Sequence, residues 1–155
     1  MLTWVPAISV EVPGVPVAKG RPRFKAYARN RVKVYADAKT KRYEEAVAVH
    51  VAAHTRGKLL APAGTPVRLD VLAVYPRPQR LNRVKDPSGL IPKCNKHHGD
   101  LDNHVKAVMD GINQAGLWDD DGQVQCIRAE AVYAEKGQRP RTRISVFLRT
   151  QETGQ

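Results

Sequence analysis

Long apolar runs are missing from this chain: no stretch approaches the ~18 consecutive apolar residues of a membrane-spanning helix, and no basic segment followed by an apolar core marks its start as a secretory signal. The expectation is a soluble, intracellular (cytoplasmic) protein with no membrane partner. Cysteine is scarce as well. Cys94 and Cys126 lie far apart in a chain of 155 residues, long enough to fold without staples, so reduced thiols are expected. Acid is in short supply, with 15 Asp and Glu against 26 Lys and Arg and a net charge of +11. A field of that sign attracts polyanions and speeds encounter with them. The length, with 42% hydrophobic residues, fits one domain over 1–155 with its core within about 8–148.

The charges are segregated. Ten basic residues (Lys19, Arg21, Arg23, Lys25, Arg29, Arg31, Lys33, Lys39, Lys41, Arg42) fall between 19 and 42 against only Asp37. Six more (Arg77, Arg80, Arg83, Lys85, Lys93, Lys96) fall between 76 and 99 against Asp86. From 100 to 121 the sign reverses: Asp100, Asp102, Asp110, Asp119, Asp120 and Asp121 face Lys106 alone. Basic walls that hold a phosphodiester backbone around a carboxylate nest that holds a cation are what a metal-dependent nuclease needs. A plain binding module has no use for the nest, although any single Asp is explained as well by capping or surface pairing.

Alternation predicts strands at 8–12, 31–35 and 67–75, with 15–24 a basic loop. A helix is predicted from about Asp37 to His54 and a second over 103–114, where Leu101, Val105, Val108 and Ile112 recur and Gly116 supplies a stop. Residues 124–133 and 143–148 read as two further strands forming an antiparallel hairpin around Gly137. The segment 76–99, without periodicity, reads as a long basic connection and a mobile, substrate-contacting arm. The order implies an α+β fold with a mixed β-sheet covered by helices in a single compact domain.

In D-L-D-N, Asp100 and Asp102 stand two apart in an extended approach to a helix, so both can point the same way. Asp102 suits the N-cap, which leaves Asp100 unexplained. Asp119, Asp120 and Asp121 follow the helix and can fold back beside the first pair. Carboxylates about 4 Å apart repel by ~1 kcal/mol in water and up to ~4 at an effective dielectric of 20 unless a cation intervenes. Oxygen donors favour Mg²⁺, with Mn²⁺ possible, over zinc; His97, His98 and His104 are the candidates for the zinc alternative. Lys106, four residues after Asp102, either pairs with it or stabilises charge on a phosphate. Asp110 reads as the surface partner of Lys106.

Two stretches, V-P-G-V-P-V-A-K-G-R-P-R-F at 12–24 and G-D-L-D-N-H-V-K-A-V-M-D-G-I-N-Q-A-G-L-W-D-D-D-G-Q-V at 99–124, resemble the RusA-type Holliday-junction resolvases of bacteria and phages. The resemblance extends from about Ile8 to Leu148. It implies a homodimer that binds a four-way junction in branched DNA and makes paired Mg²⁺-dependent cuts during recombination and repair. Matched residue by residue, it implies catalytic roles for Asp100, Asp102, Lys106 and Asp121, with Asp120 as a further metal ligand. It also places Lys19, Arg21 and Arg23 near the DNA, and Lys25, Arg77, Arg80, Lys93 and Lys96 complete the expected basic track. The extra acid in the 119–121 run leaves the ligand within that turn open. Two rival readings remain, a non-enzymatic nucleic-acid binder and a nuclease for flaps or forks.

Overall fold

Val67, Leu69, Val71, Ala73 and Tyr75 are all buried on one side of the strand Val67–Tyr75, and this continuous apolar stripe makes it the middle of the sheet. In the computed structural model, which describes residues 2–20, 23–28, 31–35 and 37–151 (without the side chains of 2, 23–28, 31–35 and 151), the elements are β1 (Leu2–Pro13), β2 (Arg23–Ala28), β3 (Arg31–Tyr35), α1 (Ala38–Thr55), β4 (Val67–Tyr75), β5 (Ile91–Pro92), α2 (Leu101–Ala115), β6 (Val124–Tyr133) and β7 (Arg141–Gln151). Five strands form one mixed sheet in the order β1-β7-β4-β6-β5; β2 and β3 form a separate two-stranded sheet. No helix among the described residues is long and apolar enough to cross a membrane.

The expected β6–β7 hairpin does not form. β4 lies between the two, parallel to β6 and antiparallel to β7. The Ala134 N–H still bonds the Tyr75 carbonyl at the end of β4, and the Pro140 carbonyl accepts from Gly14 beyond β1, so residues 134–140 cross over the end of the central strand. Alternation identifies a strand and its buried face but says nothing of its partner. β1 starts well before Ile8, and a register shift between Pro6 and Ile8 absorbs a proline that cannot donate to the ladder. β2 occupies part of the segment expected to be loop.

Helices α1 and α2 pack against each other over one face of the sheet. Val47 and Val51 of α1 meet Val108 and Ile112 of α2 above Val10, Val12, Leu69, Val71, Ile144 and Val146. The close approach is made at Gly111, where an added Cβ would lie 2.6 Å from the Val47 Cβ and 2.8 Å from the Glu44 carbonyl.

The 76–99 connection is tied down and is not a free arm. The Arg77 guanidinium donates to the carbonyls of Leu81 (2.9 and 2.8 Å), Gly89 (3.0 Å), Ala134 (3.2 Å) and Pro87. Lys136 reaches the carbonyls of Arg83 and Asp86, each at 2.7 Å, and β5 pairs with β6. Cations satisfying backbone carbonyls leave no periodic trace in a sequence.

Gly111→Ala is expected to destabilise the fold by about 1–3 kcal/mol even though alanine is the better helix former. Urea unfolding would read this as a lower midpoint at unchanged slope; a midpoint at or above the parent's would show that the helices do not meet at Gly111.

Candidate active site

α2 begins at Leu101, two residues before the expected start at 103. Asp100 takes the N-cap position with no side-chain capping bond, and Asp102 stands in the first helical turn. Asp100 stands just outside the helix in extended backbone, and the two acids of D-L-D-N line adjoining cavities. Asp102 opens with Lys106 into a cleft of about 1310 Å³ that is also lined by Lys19, Asp110, Asp121 and, from β6, Ile127 and Ala129. Asp100 opens into an adjoining cavity of about 410 Å³ with Lys39, Lys96 and His98. Lys19, Gly20 and Asn103 line both. Gly99 lets the two segments touch: its φ is +91°, and a Cβ there would lie 2.5 Å from the Cβ of Ala18.

The 119–121 run also divides. Asp121 joins the cleft, while Asp119 and Asp120 line a different cavity with Ala63–Pro66. Gln123 fixes this turn. Its Oε1 accepts from the N–H groups of Asp119 (2.9 Å) and Asp120 (2.8 Å), and its Nε2 donates to the carbonyls of Ala61, Pro62 and Thr65. Asn113 of α2 holds Asp121 itself, donating to its carboxylate at 3.2 Å while accepting from the Trp118 indole. Among the described residues no group of three or more His, Cys, Asp or Glu closes around one point. The cleft gathers two of the four expected ligand carboxylates.

The cations sort as sharply. Lys106 is exposed in the cleft and makes no ion pair among the described residues. Asp110, expected to pair with it, is bonded instead to Lys19, whose ammonium also lies 3.8 Å from Glu44. The bond to Asp110 holds the Lys19 ammonium above the usual lysine range, and burial holds Glu44 above the usual carboxylate range. Of the other residues on the expected basic track, Arg77 is spent on carbonyls, and Lys93 is buried, donating to the Asn95 carbonyl at 2.7 Å with its ammonium 4.7 Å from the Tyr75 ring centre. Arg80 and Lys96 are exposed. Arg23 and Lys25 stand on β2, and Arg21 lies outside the described residues.

A buried polar group beneath the cleft is not foreseen from the sequence. His104 is fully buried between Asp102 and Lys106 in sequence, with Nε2 2.7 Å from the Tyr43 hydroxyl, which in turn is 2.7 Å from Thr142 Oγ1. Either tautomer leaves Nδ1 without a partner among the described residues. Burial pushes the imidazole down to about 4 and the Tyr43 phenol above the usual tyrosine range. The signal is present all the same: His104, Val108 and Gly111 share one helical face, and that face is the buried one.

Comparison with known proteins identifies the family. Residues 13–147 match the family described as "Endodeoxyribonuclease RusA". The chain is also 30% identical over 147 residues to a Bacillus subtilis (strain 168) protein described as "Uncharacterized protein YqaN", an alignment covering 92% of this chain and 95% of that one.

The neutral imidazole has a measurable consequence. Between about 4 and the ordinary 6.5 the unfolded chain holds a proton on His104 that the folded chain does not, so stability should rise with pH across that window, by roughly 3 kcal/mol in all. Urea unfolding of the parent and of His104→Gln at pH 4.5, 5.5 and 7 isolates the contribution, because carboxylate titration is common to both. Identical pH slopes would show that His104 is not buried in its neutral form.

Proposed function

This chain belongs to the RusA endodeoxyribonuclease family, and on that premise we propose that it is a Mg²⁺-dependent endonuclease that resolves four-way DNA junctions. The observation that carries the reading is the convergence of Asp102, Lys106 and Asp121, from separate stretches of the chain, on one cleft in a protein of net charge +11.

The donor chemistry suits the cation. Mg²⁺ keeps several waters and is commonly held by one or two carboxylates together with substrate phosphate, which is what Asp102 and Asp121 offer. Asp100, across the wall formed by Lys19 and Asn103, completes the set in this proposal, and Asp120 drops out of it. A bound Mg²⁺ would supply Lewis acidity and a water acidic enough to attack phosphorus at neutral pH, with Mn²⁺ an alternative. Asn113 orients the Asp121 carboxylate. Lys106, the cleft lysine with no carboxylate partner among the described residues, neutralises the charge that builds on the phosphate oxygens. Lys19 braces the cleft wall. One chain carries one such cleft, and a two-fold symmetric junction takes two symmetric cuts, so a homodimer with one site per subunit fits the substrate. An intracellular location belongs to the same reading.

Asp102→Asn is expected to retain junction binding while Mg²⁺-dependent cleavage falls by more than about 100-fold, the upper end of what even the outer partners of metal ligands cost. Lys106→Ala should cost about 10²- to 10³-fold in rate, whereas Asp120→Asn should stay near the parent. Single-turnover cleavage of a synthetic four-way junction, beside a flap and a fork of the same sequence, measures all three. Parent-level cutting by Asp102→Asn overturns the site, preferential cutting of flaps or forks overturns the junction preference, and no divalent-dependent cutting leaves a binding protein.

A further inference from the structure

Between Gly20 and Asp37 the chain leaves the helix-covered sheet and returns to the same spot. Among the described residues β2 and β3 pair with each other and with no strand of the main sheet. The root of this ribbon is at the active site. A Cβ on Gly20 would lie 3.6 Å from the Asp37 carboxylate, the Gly20 N–H donates to Thr40 Oγ1 at 3.4 Å, and Gly20 and Asp37 line the cavity that holds Asp100.

The composition of the ribbon is one-sided. Residues 23–35 contain Arg23, Lys25, Arg29, Arg31 and Lys33 and no acid. Register sets Lys25 directly opposite Lys33 and Arg23 opposite Tyr35, while Phe24 pairs with Val34 and Ala26 with Val32. Strand alternation therefore sets Arg23, Lys25 and Lys33 at positions on one face, with Tyr35, and Phe24, Ala26, Val32 and Val34 on the other, while a register shift past Ala26 puts Arg31 opposite Ala28. Like charges directly opposite destabilise a strand pair, and an isolated two-stranded hairpin is marginal in water to begin with. This ribbon is built against its own stability unless a polyanion screens it. The wide groove of B-form DNA admits a two-stranded ribbon, with phosphates along both rims.

We infer that β2 and β3 form a DNA-grasping arm that lies in the major groove of a duplex leading away from the cleft. The identity of that duplex, one arm of a branched substrate, rests on the proposed nuclease function. The arm holds the flanking duplex and is separate from the carboxylates.

The test uses the full-length chain with Arg23, Lys25, Arg31 and Lys33 all changed to Ser, binding a labelled four-way junction in EDTA over a salt series. Affinity should fall by at least 10-fold, and the slope of log affinity against log salt should shrink by about 0.9 for each phosphate that the variant no longer neutralises. Guanine N7 protection from dimethyl sulfate on the duplex arms, present with the parent, should disappear. A second variant, Lys25→Arg with Lys33→Arg, keeps the charge and should bind and protect like the parent, which separates charge loss from misfolding. An unchanged salt slope and footprint in the Ser variant overturn the arm. A parent that binds through the ribbon yet cuts nothing sinks the nuclease reading and leaves the arm standing, so the two fail separately.

Discussion

A buried hydrogen-bonded chain, His104 to Tyr43 to Thr142, joins the three elements on which the cleft depends. Its members come from α2, α1 and β7, so helix, helix and sheet meet at one polar point inside an otherwise apolar core. Buried polar groups of this kind are costly when unpaired and directional when paired. The directionality matters because His104 stands between Asp102 and Lys106. Fixing its ring fixes the rotation of the first turn of α2 about its axis, and with it the direction in which the carboxylate and the ammonium face. Gly111 permits the helices to come close enough for the tyrosine to reach.

Much of the architecture is readable from the sequence for a simple reason. β4 and α2 are long, strongly periodic and bracketed by breakers, so burial and sequence pattern coincide. What is not readable depends on partners. The alternation of β6 and β7 looks the same whether they pair with each other or flank β4. The placement of Asp100 and Asp102 in adjoining cavities turns on where α2 starts, with Asp102 in the first helical turn and Asp100 just outside it in extended backbone. In the 119–121 run, three identical residues offer no hint of which one faces the cleft. Gln123 and Asn113 decide it, through bonds to the carbonyls of Ala61, Pro62 and Thr65 and to Trp118.

The net charge overstates what is free to meet DNA. Arg77 and Lys93 direct their cations onto carbonyls and an aromatic ring, and Lys19 is engaged by Asp110 and Glu44. Arg68, Arg141 and Arg143 are paired with Asp70, Glu135 and Glu11. Net charge sets the long-range field that draws in a polyanion, but these side chains are already committed at close range. Among the described residues the exposed cations without a carboxylate partner include Lys106, Lys96 and Arg80.

The pairing of Leu2 with Gln151 and of Pro13 with Arg141 has a consequence for folding. Among the described residues β1 finds its partner strand in β7 alone, the strand last in chain order, so its row of amide groups stays unmet until that distant segment arrives. Loop closure over nearly the full chain slows such pairing, and an unmatched edge invites association with other chains in the interval. β1 therefore joins the sheet only through a contact that spans almost the whole described chain.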